Sequence, residues 1–192
     1  MAENKNKFKE TIDSIVVAFV IAMIIRAFCV QAYKIPSGSM LDTLLIGDHI
    51  IVNKLAYKFK EPDFQDIIVF EYPLDPSKDF IKRVVGCPGD KIKIENKKLY
   101  RNGKLINEKY VTHKDTSDFN ISRNPRDYVN EFIVPKDYYF VMGDNRDSSF
   151  DSRYWGFVNK KLIKGEAWFI YWSWQFGNDF TIRFNRILKP IR

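Results

Sequence analysis

Three short segments of the sequence carry residue types that an enzyme can use for chemistry. Residues 35–40 read IPSGSM, residues 79–86 read DFIKRVVG, and residues 143–153 read GDNRDSSFDSR. A serine in a glycine turn is a candidate nucleophile, and a lysine within an apolar strand is a candidate general base. The third segment is typical of a hydrogen-bonded turn network. Taken singly, each segment is best explained as structure alone.

Ser39 is the candidate nucleophile. Gly38 allows a sharp turn of the backbone, which leaves a serine hydroxyl exposed beside free backbone N–H groups. Such N–H groups stabilise the oxyanion that forms when a hydroxyl attacks a carbonyl carbon. The turn therefore has the composition that acyl-transfer chemistry needs.

Lys82 is the candidate base. It lies in an apolar strand with Phe80, Ile81 and Val84, and an inward-pointing amine at this position favours its neutral form because burial disfavours charge. An unperturbed lysine titrates near 10.4, so a base that works near pH 8 needs a shift of about 2–3 units, or roughly 3–4 kcal/mol of desolvation. The apolar neighbours and a nearby membrane surface are the expected sources of that desolvation.

Alternating, β-branched segments follow residue 30 and predict an all-β body that positions these residues. Asn102-Gly103 is a good two-residue hairpin turn, because both positions tolerate positive φ. The hydrophilic segment 108–131 has no periodicity and predicts a long surface excursion. The predicted strands are 49–53, 67–72, 81–86, 91–95, 104–106, 138–142 and 166–172.

The N-terminal segment predicts a single membrane anchor. Residues 15–25 are an unbroken apolar run, and extension to 12–30 reaches the roughly 20 helical residues that the hydrocarbon core requires. Arg26 and Phe28 stand where a cleaved secretion signal needs small residues, and Phe28 also disfavours a lipoprotein anchor at Cys29. A buried core helix is disfavoured because the run is apolar on all sides.

Lysines before the anchor predict its orientation. Lys5, Lys7 and Lys9 favour a cytoplasmic N-terminus of residues 1–11, which places residues 31–192 on the extracytoplasmic face. Arg26 and Lys34 lie on the far side and weaken this bias. The expected location is therefore the cell membrane, crossed once.

Composition argues against several other kinds of site. Cys29 and Cys87 match no metal or redox spacing, so we expect unpaired thiols. His49 and His113 have no metal-ligand spacing, and neither lies in a distinctive segment, so a Ser/His/Asp triad ranks behind Ser39 and Lys82. The net charge of +7 suits nucleic acid and anionic lipid equally. No metal or other cofactor is expected.

Together, the three segments resemble the type I signal peptidases of bacteria. The resemblance runs from Pro36 through Gly156 and rests on IPSGSM with the later GDHIIVNK, then DFIKRVVGCPGD, then GDNRDSSFDSRYWGF, in the family's order. It implies a mainly β serine-lysine protease domain of coiled antiparallel sheets behind one N-terminal transmembrane helix. The short chain with one anchor looks like the compact Gram-positive kind.

The resemblance also implies roles for individual residues. Ser39 looks like the nucleophile, and Lys82 looks like the general base. Ser37 is similar to the serine whose hydroxyl joins the Ser39 N–H in the oxyanion hole. The implied partners are secretory preproteins, cleaved after small-x-small sites, and the lipid bilayer, with no nucleic acid and no metal.

Residues around the dyad have implied roles as well. Ser149 matches a serine that orients the lysine, and Asp151 and Arg153 match a structural ion pair close to the site. One departure is Asp42, where the family usually has proline. Its loss removes a φ constraint, and its added charge is expected to favour protonated Lys82.

Substrate contacts follow less directly. Ile35, Phe80 and Ile81 are the candidate walls of shallow pockets for an extended substrate. The C-terminal aromatic residues suit either the core or a rim that contacts the membrane. These are Trp168, Tyr171, Trp172, Trp174 and Phe176.

Two other functions compete with the protease interpretation. A self-cleaving Ser-Lys repressor of the SOS type needs a DNA-binding helical domain before the β-body, where this chain has an apolar run. A basic, membrane-tethered binding module explains the charge and the aromatic residues but not the combination of Ser39, Lys82 and the third segment. Release of a fragment from a preprotein distinguishes a peptidase from both.

Overall fold

The computed structural model describes residues 2–113, 125–175 and 180–192, with side chains in the first helix described from Glu10 onward. Its helices are α1 (Ala2–Phe28), α2 (Ala56–Phe59) and α3 (Ser152–Trp155), and short 3-10 turns cover Arg146–Ser148, Lys160–Leu162 and Phe184–Arg186. Its strands are β1 (Val30–Lys34), β2 (Asp48–Asn53), β3 (Ile67–Tyr72), β4 (Asp75–Gly86), β5 (Lys91–Glu95), β6 (Lys98–Arg101), β7 (Lys104–Leu105), β8 (Val129–Ile133), β9 (Tyr138–Met142), β10 (Val158–Asn159), β11 (Ile163–Gln175), β12 (Thr181–Ile182) and β13 (Lys189–Pro190).

Between Glu10 and Phe28, helix α1 projects from the body and is exposed and largely apolar. The stretch Glu10–Phe28 has a mean hydropathy of 2.1 and no buried share, so it is long and apolar enough to cross a bilayer. Phe19 and Phe28 are each 65% exposed. In water such a surface is costly, since each exposed large apolar side chain forgoes about 1.5–3 kcal/mol of burial.

The body consists of antiparallel sheets, as the sequence predicted. Within the described residues, the larger sheet has nine strands in the order β1-β2-β11-β3-β4-β9-β10, with β12 and β13 also paired to β11. The smaller sheet has the order β7-β6-β5-β8. Strand β11 pairs with both β2 and β3 and has register shifts against each of them. Such irregularities bend and twist a sheet, and they allow the long strand β11 to pair with both β2 and β3.

The seven predicted strands all occur, and several extend further. Strand β4 begins at Asp75 rather than at residue 81, and β11 runs from Ile163 to Gln175. The hairpin between β6 and β7 turns at Asn102 and Gly103, which have φ of 53° and 76°. A two-residue hairpin turn of this kind requires positive φ at both central positions, and Asn and Gly tolerate it.

Three apolar clusters hold the sheets together. One contains Ile35, Met40 and Leu44 from the loop after β1, packed on Ile50 and Val69. A second joins the smaller sheet to β9, and a third lies between β3, β4 and β9. The loop that carries the serine turn is therefore anchored in the core on both sides of the turn.

The predicted surface excursion at 108–131 differs from the structure at both ends. Glu108 binds Arg146 of the third segment, and Tyr110 packs on Arg83 of the second. The end of the stretch enters strand β8. The sequence did not predict this packing, because the partners are arginines distant in sequence and not apolar neighbours. Residues 114–124 of the segment lie outside the described residues.

Candidate active site

Ser39 and Lys82 meet in the body. The Lys82 amine lies 2.7 Å from the Ser39 hydroxyl oxygen, within hydrogen-bond distance. The lysine is 4% exposed, whereas the serine is partly exposed and lines an open cavity. A hydroxyl in contact with a buried amine is the arrangement that a serine nucleophile and its base require.

Strand β4 determines where Lys82 points. It lies between β3 and β9, with Lys82 opposite Ile68 and Arg83 opposite Ile67 and Met142. Successive side chains of a strand point to opposite faces, and both Lys82 and Arg83 are buried, so the sheet is covered on both faces at this point. The sequence showed an apolar strand, but the burial of both charged side chains is evident only in the folded structure.

Burial changes the acid–base behaviour of Lys82. It lowers the pKa of the amine to about 8, against the opposing charges of Asp151 and Asp144, and Arg153 adds to the lowering. The Phe80 ring lies 5.6 Å from the amine and covers part of it. Near pH 8, a substantial fraction of Lys82 is therefore neutral and able to accept a proton.

Asn145 fixes the backbone at Ser39. Its side-chain amide donates to the Gly38 carbonyl at 2.9 Å, and its N–H donates to the Ser39 carbonyl at 3.1 Å. The Ser39 N–H makes no hydrogen bond to the part of the chain that the structure describes. The carbonyls of the turn are therefore held while the N–H remains available for an oxyanion.

Asp151 and Arg153 form a buried pair below the site. The guanidinium contacts both carboxylate oxygens at 2.8 and 2.9 Å, and Asp151 also accepts the Gly143 N–H at 3.0 Å. Burial pushes the pKa of Asp151 upward, but the hydrogen bonds and charge of Arg153 outweigh it and hold the pKa below its usual value. The pair stays ionised and supports the strand end at Gly143.

Ser149 lies beside this pair. Its hydroxyl is buried and helps to lower the pKa of Asp151, without a hydrogen bond of normal geometry. No hydrogen bond joins it to Lys82. Its orienting role toward the lysine stays a prediction.

A second buried pair lies on the other face of β4. Arg83 contacts both oxygens of Asp144 at 2.8 and 2.7 Å, and the Tyr110 ring stacks 3.9 Å from the guanidinium carbon. Thr43 donates a hydrogen bond of 2.6 Å to the same carboxylate. The pair therefore ties β4, which carries Lys82, to the loop that follows Ser39.

Sequence reasoning missed a third pair. Glu108 accepts two hydrogen bonds from Arg146, at 2.9 and 2.6 Å, and both side chains are nearly fully buried. Arg146 stood in the third segment, but nothing in the hydrophilic stretch around Glu108 marked it as the partner. Asn145 and Asp144 were within that segment and carried no separate signal of their roles.

The cavity beside Ser39 has a volume of about 410 Å³. Ser37, Phe80 and Ile81 line it together with Lys82. Phe80 and Ile81 are two of the three residues expected as pocket walls, and their contact with substrate stays a prediction. Ile35 does not: it is 3% exposed in the core and lines a neighbouring cavity instead. Ile35 is buried because β1 ends at Lys34 and the next residue turns into the core.

Asp42 does not act on Lys82 as expected. It is exposed and accepts a hydrogen bond of 3.1 Å from Thr112, and the carboxylates that raise the Lys82 pKa are Asp151 and Asp144. The perturbing charges lie in the third segment, which the fold brings under the lysine.

The other polar candidates lie away from the dyad. His49 packs edge-on against Tyr171 and Trp174, and His113 lies 3.6 Å from Asp147; neither lines the Ser39 cavity. Cys29 and Cys87 are free thiols, as predicted. Among the described residues, no group of His, Cys, Asp and Glu is arranged to hold a metal ion.

The aromatic residues of β11 divide between two environments. Trp168 and Tyr171 are exposed, whereas Trp172 and Trp174 are partly buried, and Phe176 lies outside the described residues. Strand periodicity accounts for part of this division. Contact of the exposed rings with a membrane stays a prediction.

Comparison with known proteins identifies the family of the chain. Residues 8–172 match the family described as signal peptidase, peptidase S26. The chain is 37% identical over 202 residues to signal peptidase I of Aquifex aeolicus (strain VF5), with 79% of each protein covered. It is 36% identical over 189 residues to signal peptidase IB of Staphylococcus aureus (strain MRSA252), with 94% of this chain and 96% of that protein covered.

A solved structure of a signal peptidase I from Enterococcus faecalis V583 is 31% identical, has a TM-score of 0.44, and covers 56% of this chain and 97% of that chain. The family match spans most of the sequence and includes all three segments that carried the resemblance. The chain therefore belongs to the signal peptidase family, peptidase S26, and is a peptidase, as the sequence resemblance predicted.

Proposed function

We propose that the protein is a membrane-bound serine endopeptidase that removes signal peptides from secreted preproteins after small-x-small sites. The observation that carries the proposal is the 2.7 Å contact between the Ser39 hydroxyl and a Lys82 amine that is 4% exposed. A lysine kept for structure alone would gain more by reaching a carboxylate or solvent than by ending on a hydroxyl.

In the proposed acylation step, neutral Lys82 accepts the proton of the Ser39 hydroxyl while the oxygen attacks the scissile carbonyl carbon. The oxyanion is stabilised by the Ser39 N–H and the Ser37 hydroxyl. Collapse of the tetrahedral intermediate breaks the peptide bond, and the Lys82 ammonium gives its proton to the leaving amine. The new N-terminus of the mature protein then departs.

Deacylation reuses the same groups. Lys82, neutral again, accepts a proton from a water molecule that attacks the acyl carbon on Ser39. The serine leaves as the ester bond breaks and recovers its proton from Lys82. The cycle needs no second acid, because the lysine acts as base and acid in turn.

The substrate is proposed to lie as an extended strand between residues 35–39 and 80–82. The cavity of about 410 Å³ is open and bordered by Phe80 and Phe150, which leaves room for small side chains beside Ser39. Bulky residues next to the cleaved bond would meet these rings. This supports the small-x-small preference.

Incubation of the solubilised full-length protein with a preprotein tests the proposal. We expect a shorter product whose released fragment ends in a small residue, and no product from Ser39→Ala enzyme that remains folded. A tryptophan placed directly before the cleaved bond should abolish cleavage. An intact preprotein after incubation with wild-type enzyme would instead favour a binding module.

The proposed topology has its own test. With a cytoplasmic N-terminus and α1 across the bilayer, protease added outside intact cells should digest the β-body but not a tag on the first ten residues. Protection of the β-body with digestion of the tag would mean the opposite orientation.

A further inference from the structure

A lysine-lined cavity lies where α1 joins the body, away from the dyad. Its volume is about 300 Å³, and it is lined by four lysines, with Ala27 and Phe28 of the helix beside them. The lysines are Lys54, Lys58, Lys160 and Lys164. No aspartate or glutamate lines the cavity. Four amines around one space repel each other unless an anion lies among them.

Only part of this charge is neutralised by the protein. Lys160 pairs with Glu61, and Lys164 lies 2.8 Å from Asp79. Lys54 and Lys58 have no carboxylate within 4 Å among the described residues. The Lys54 amine donates to the Ala27 carbonyl at 2.7 Å, which uses one of its three donors and holds it at the helix end. Two positive charges therefore remain available in the cavity.

The position of the cavity indicates what kind of anion fits. The apolar stretch of α1 ends at Phe28, so on the proposed membrane crossing the cavity lies at headgroup level. Phe28 is 65% exposed and Phe59, next to Lys58, is 87% exposed. The lysines suit the phosphate of a lipid headgroup, and the exposed aromatic rings suit its acyl chains. A free anion would use only the lysines.

We propose that this cavity binds the headgroup of an anionic phospholipid, with its phosphodiester between Lys54 and Lys58 and its acyl chains along the exposed face of α1. The bound lipid fixes the angle between helix and body, which holds the Ser39 cavity at a constant distance from the bilayer. The inference rests on the proposed membrane crossing, but not on the chemistry of Ser39 and Lys82.

Native mass spectrometry of the full-length protein in uncharged detergent tests the site. The probes are phosphatidylglycerol, phosphatidylcholine and inorganic phosphate. We expect retention of one phosphatidylglycerol, much less phosphatidylcholine and no phosphate. A Lys54→Gln/Lys58→Gln variant should bind phosphatidylglycerol about 30-fold more weakly, since each lysine near an anionic headgroup is worth about fivefold.

The matched control is Lys91→Gln/Lys98→Gln, which removes two exposed lysines from the smaller sheet. It should bind phosphatidylglycerol as the wild type does. The single variant Lys58→Gln removes no hydrogen bond to the protein and should show part of the loss without any risk to folding. Equal loss in the control, equal retention of phosphatidylcholine, or phosphate bound as well as the lipid would overturn the inference.

Cleavage of a short soluble peptide by the same preparations separates this inference from the proposed function. All three lysine variants should cleave the peptide at the wild-type rate, because none of these residues lines the Ser39 cavity. Lost lipid binding with intact cleavage supports the lipid site. Absence of cleavage in the wild type would contradict the proposed function and leave the lipid result to stand by itself.

Discussion

Gly143 lies directly against the backbone of Ser39. A Cβ atom built on Gly143 would be 2.4 Å from the Ser39 carbonyl oxygen and 2.3 Å from the Ser149 hydroxyl. Both distances are far inside van der Waals contact. The Gly143 N–H is also bound to the buried Asp151 carboxylate at 3.0 Å, so the glycine cannot move away. The position of Ser39 therefore depends on the absence of a side chain at Gly143, which follows strand β9 and is distant from Ser39 in sequence.

Gly143→Ala is expected to displace the Ser39 turn and to lower kcat/KM by about 10², the cost of a displacement of about 1 Å between reacting groups. The control is Gly103→Ala, where the glycine has φ of 76° and no atom within 4 Å. That change should cost about 1 kcal/mol of stability through backbone strain and leave kcat/KM unchanged. Full activity in Gly143→Ala would show that the turn tolerates displacement.

Ser37→Ala tests the proposed oxyanion hole. Loss of one of two donors should lower kcat by about 10²–10³ with little change in KM, because the hydroxyl acts on the transition state rather than on bound substrate. Ser148→Ala is the matched control, since Ser148 is an exposed serine that lines the same cavity. Steady-state kinetics on both variants decides, and an unchanged kcat in Ser37→Ala would remove Ser37 from the mechanism.

Phe80→Ala should shift the pH dependence of activity. Burial is the main cause of the lowered Lys82 pKa, and the Phe80 ring lies 5.6 Å from the amine, so its removal admits water and lets the pKa rise from about 8 toward 10.5. The lost attraction between ring and ammonium acts the other way, but it is worth only about 0.5–1 kcal/mol against roughly 3 kcal/mol for the full shift.

The acid limb of kcat/KM in Phe80→Ala should therefore move to higher pH, with a lower rate near neutral pH. Phe150→Ala removes another ring that lines the cavity, 54% exposed, and should leave the limb in place. If the acid limb moved equally in both variants, the shift would come from opening the cavity in general and not from the Phe80 ring beside Lys82.

Lys82→Met should make the protein more stable near neutral pH. The folded-state pKa of about 8 lies below the ordinary value of 10.5, so below pH 8 the folded protein carries a buried ammonium that the unfolded chain holds in water. By linkage, wild-type stability rises with pH between about 8 and 10.5, by roughly 3 kcal/mol in total.

A methionine at position 82 does not titrate, so it adds no pH dependence to the stability of the protein. The advantage of Lys82→Met in free energy of unfolding should therefore be largest below pH 8 and decline through the window up to pH 10.5. Denaturant unfolding of the two proteins at several pH values measures the difference. A constant difference across that window would mean that the lysine is not buried in the folded state.

Features that neighbouring residues encode could be predicted from the sequence, whereas contacts between residues far apart in sequence could not. The strands, the Asn102-Gly103 turn and the apolar helix are encoded locally, and all of them occur. The contact between Ser39 and Lys82 was predicted only through the family resemblance. Spacing alone could not predict it, because the two residues are 43 positions apart.

Long-range polar pairs were outside the reach of the sequence. Glu108 binds Arg146 and Tyr110 stacks on Arg83, but charged and aromatic residues in a hydrophilic stretch look like solvent-exposed ones until their partners are known. For Asp42, the sequence suggested an interaction that the structure does not contain. Its place next to the nucleophile in sequence suggested an effect on the base, whereas its carboxylate points to Thr112.

The central claim is that neutral Lys82 takes the proton of Ser39, and the pH–rate profile measured alongside Lys82→Arg tests it most directly. Arginine retains the charge and much of the length but does not deprotonate at usable pH, so a structural role survives the change and a general base does not. We predict near-total loss of cleavage in folded Lys82→Arg enzyme, and a wild-type kcat/KM that rises with pH along one limb centred near the Lys82 pKa of about 8. An active Lys82→Arg enzyme, or a limb near 6.5 as for an ordinary histidine, would contradict the account and move the base to His49 or His113.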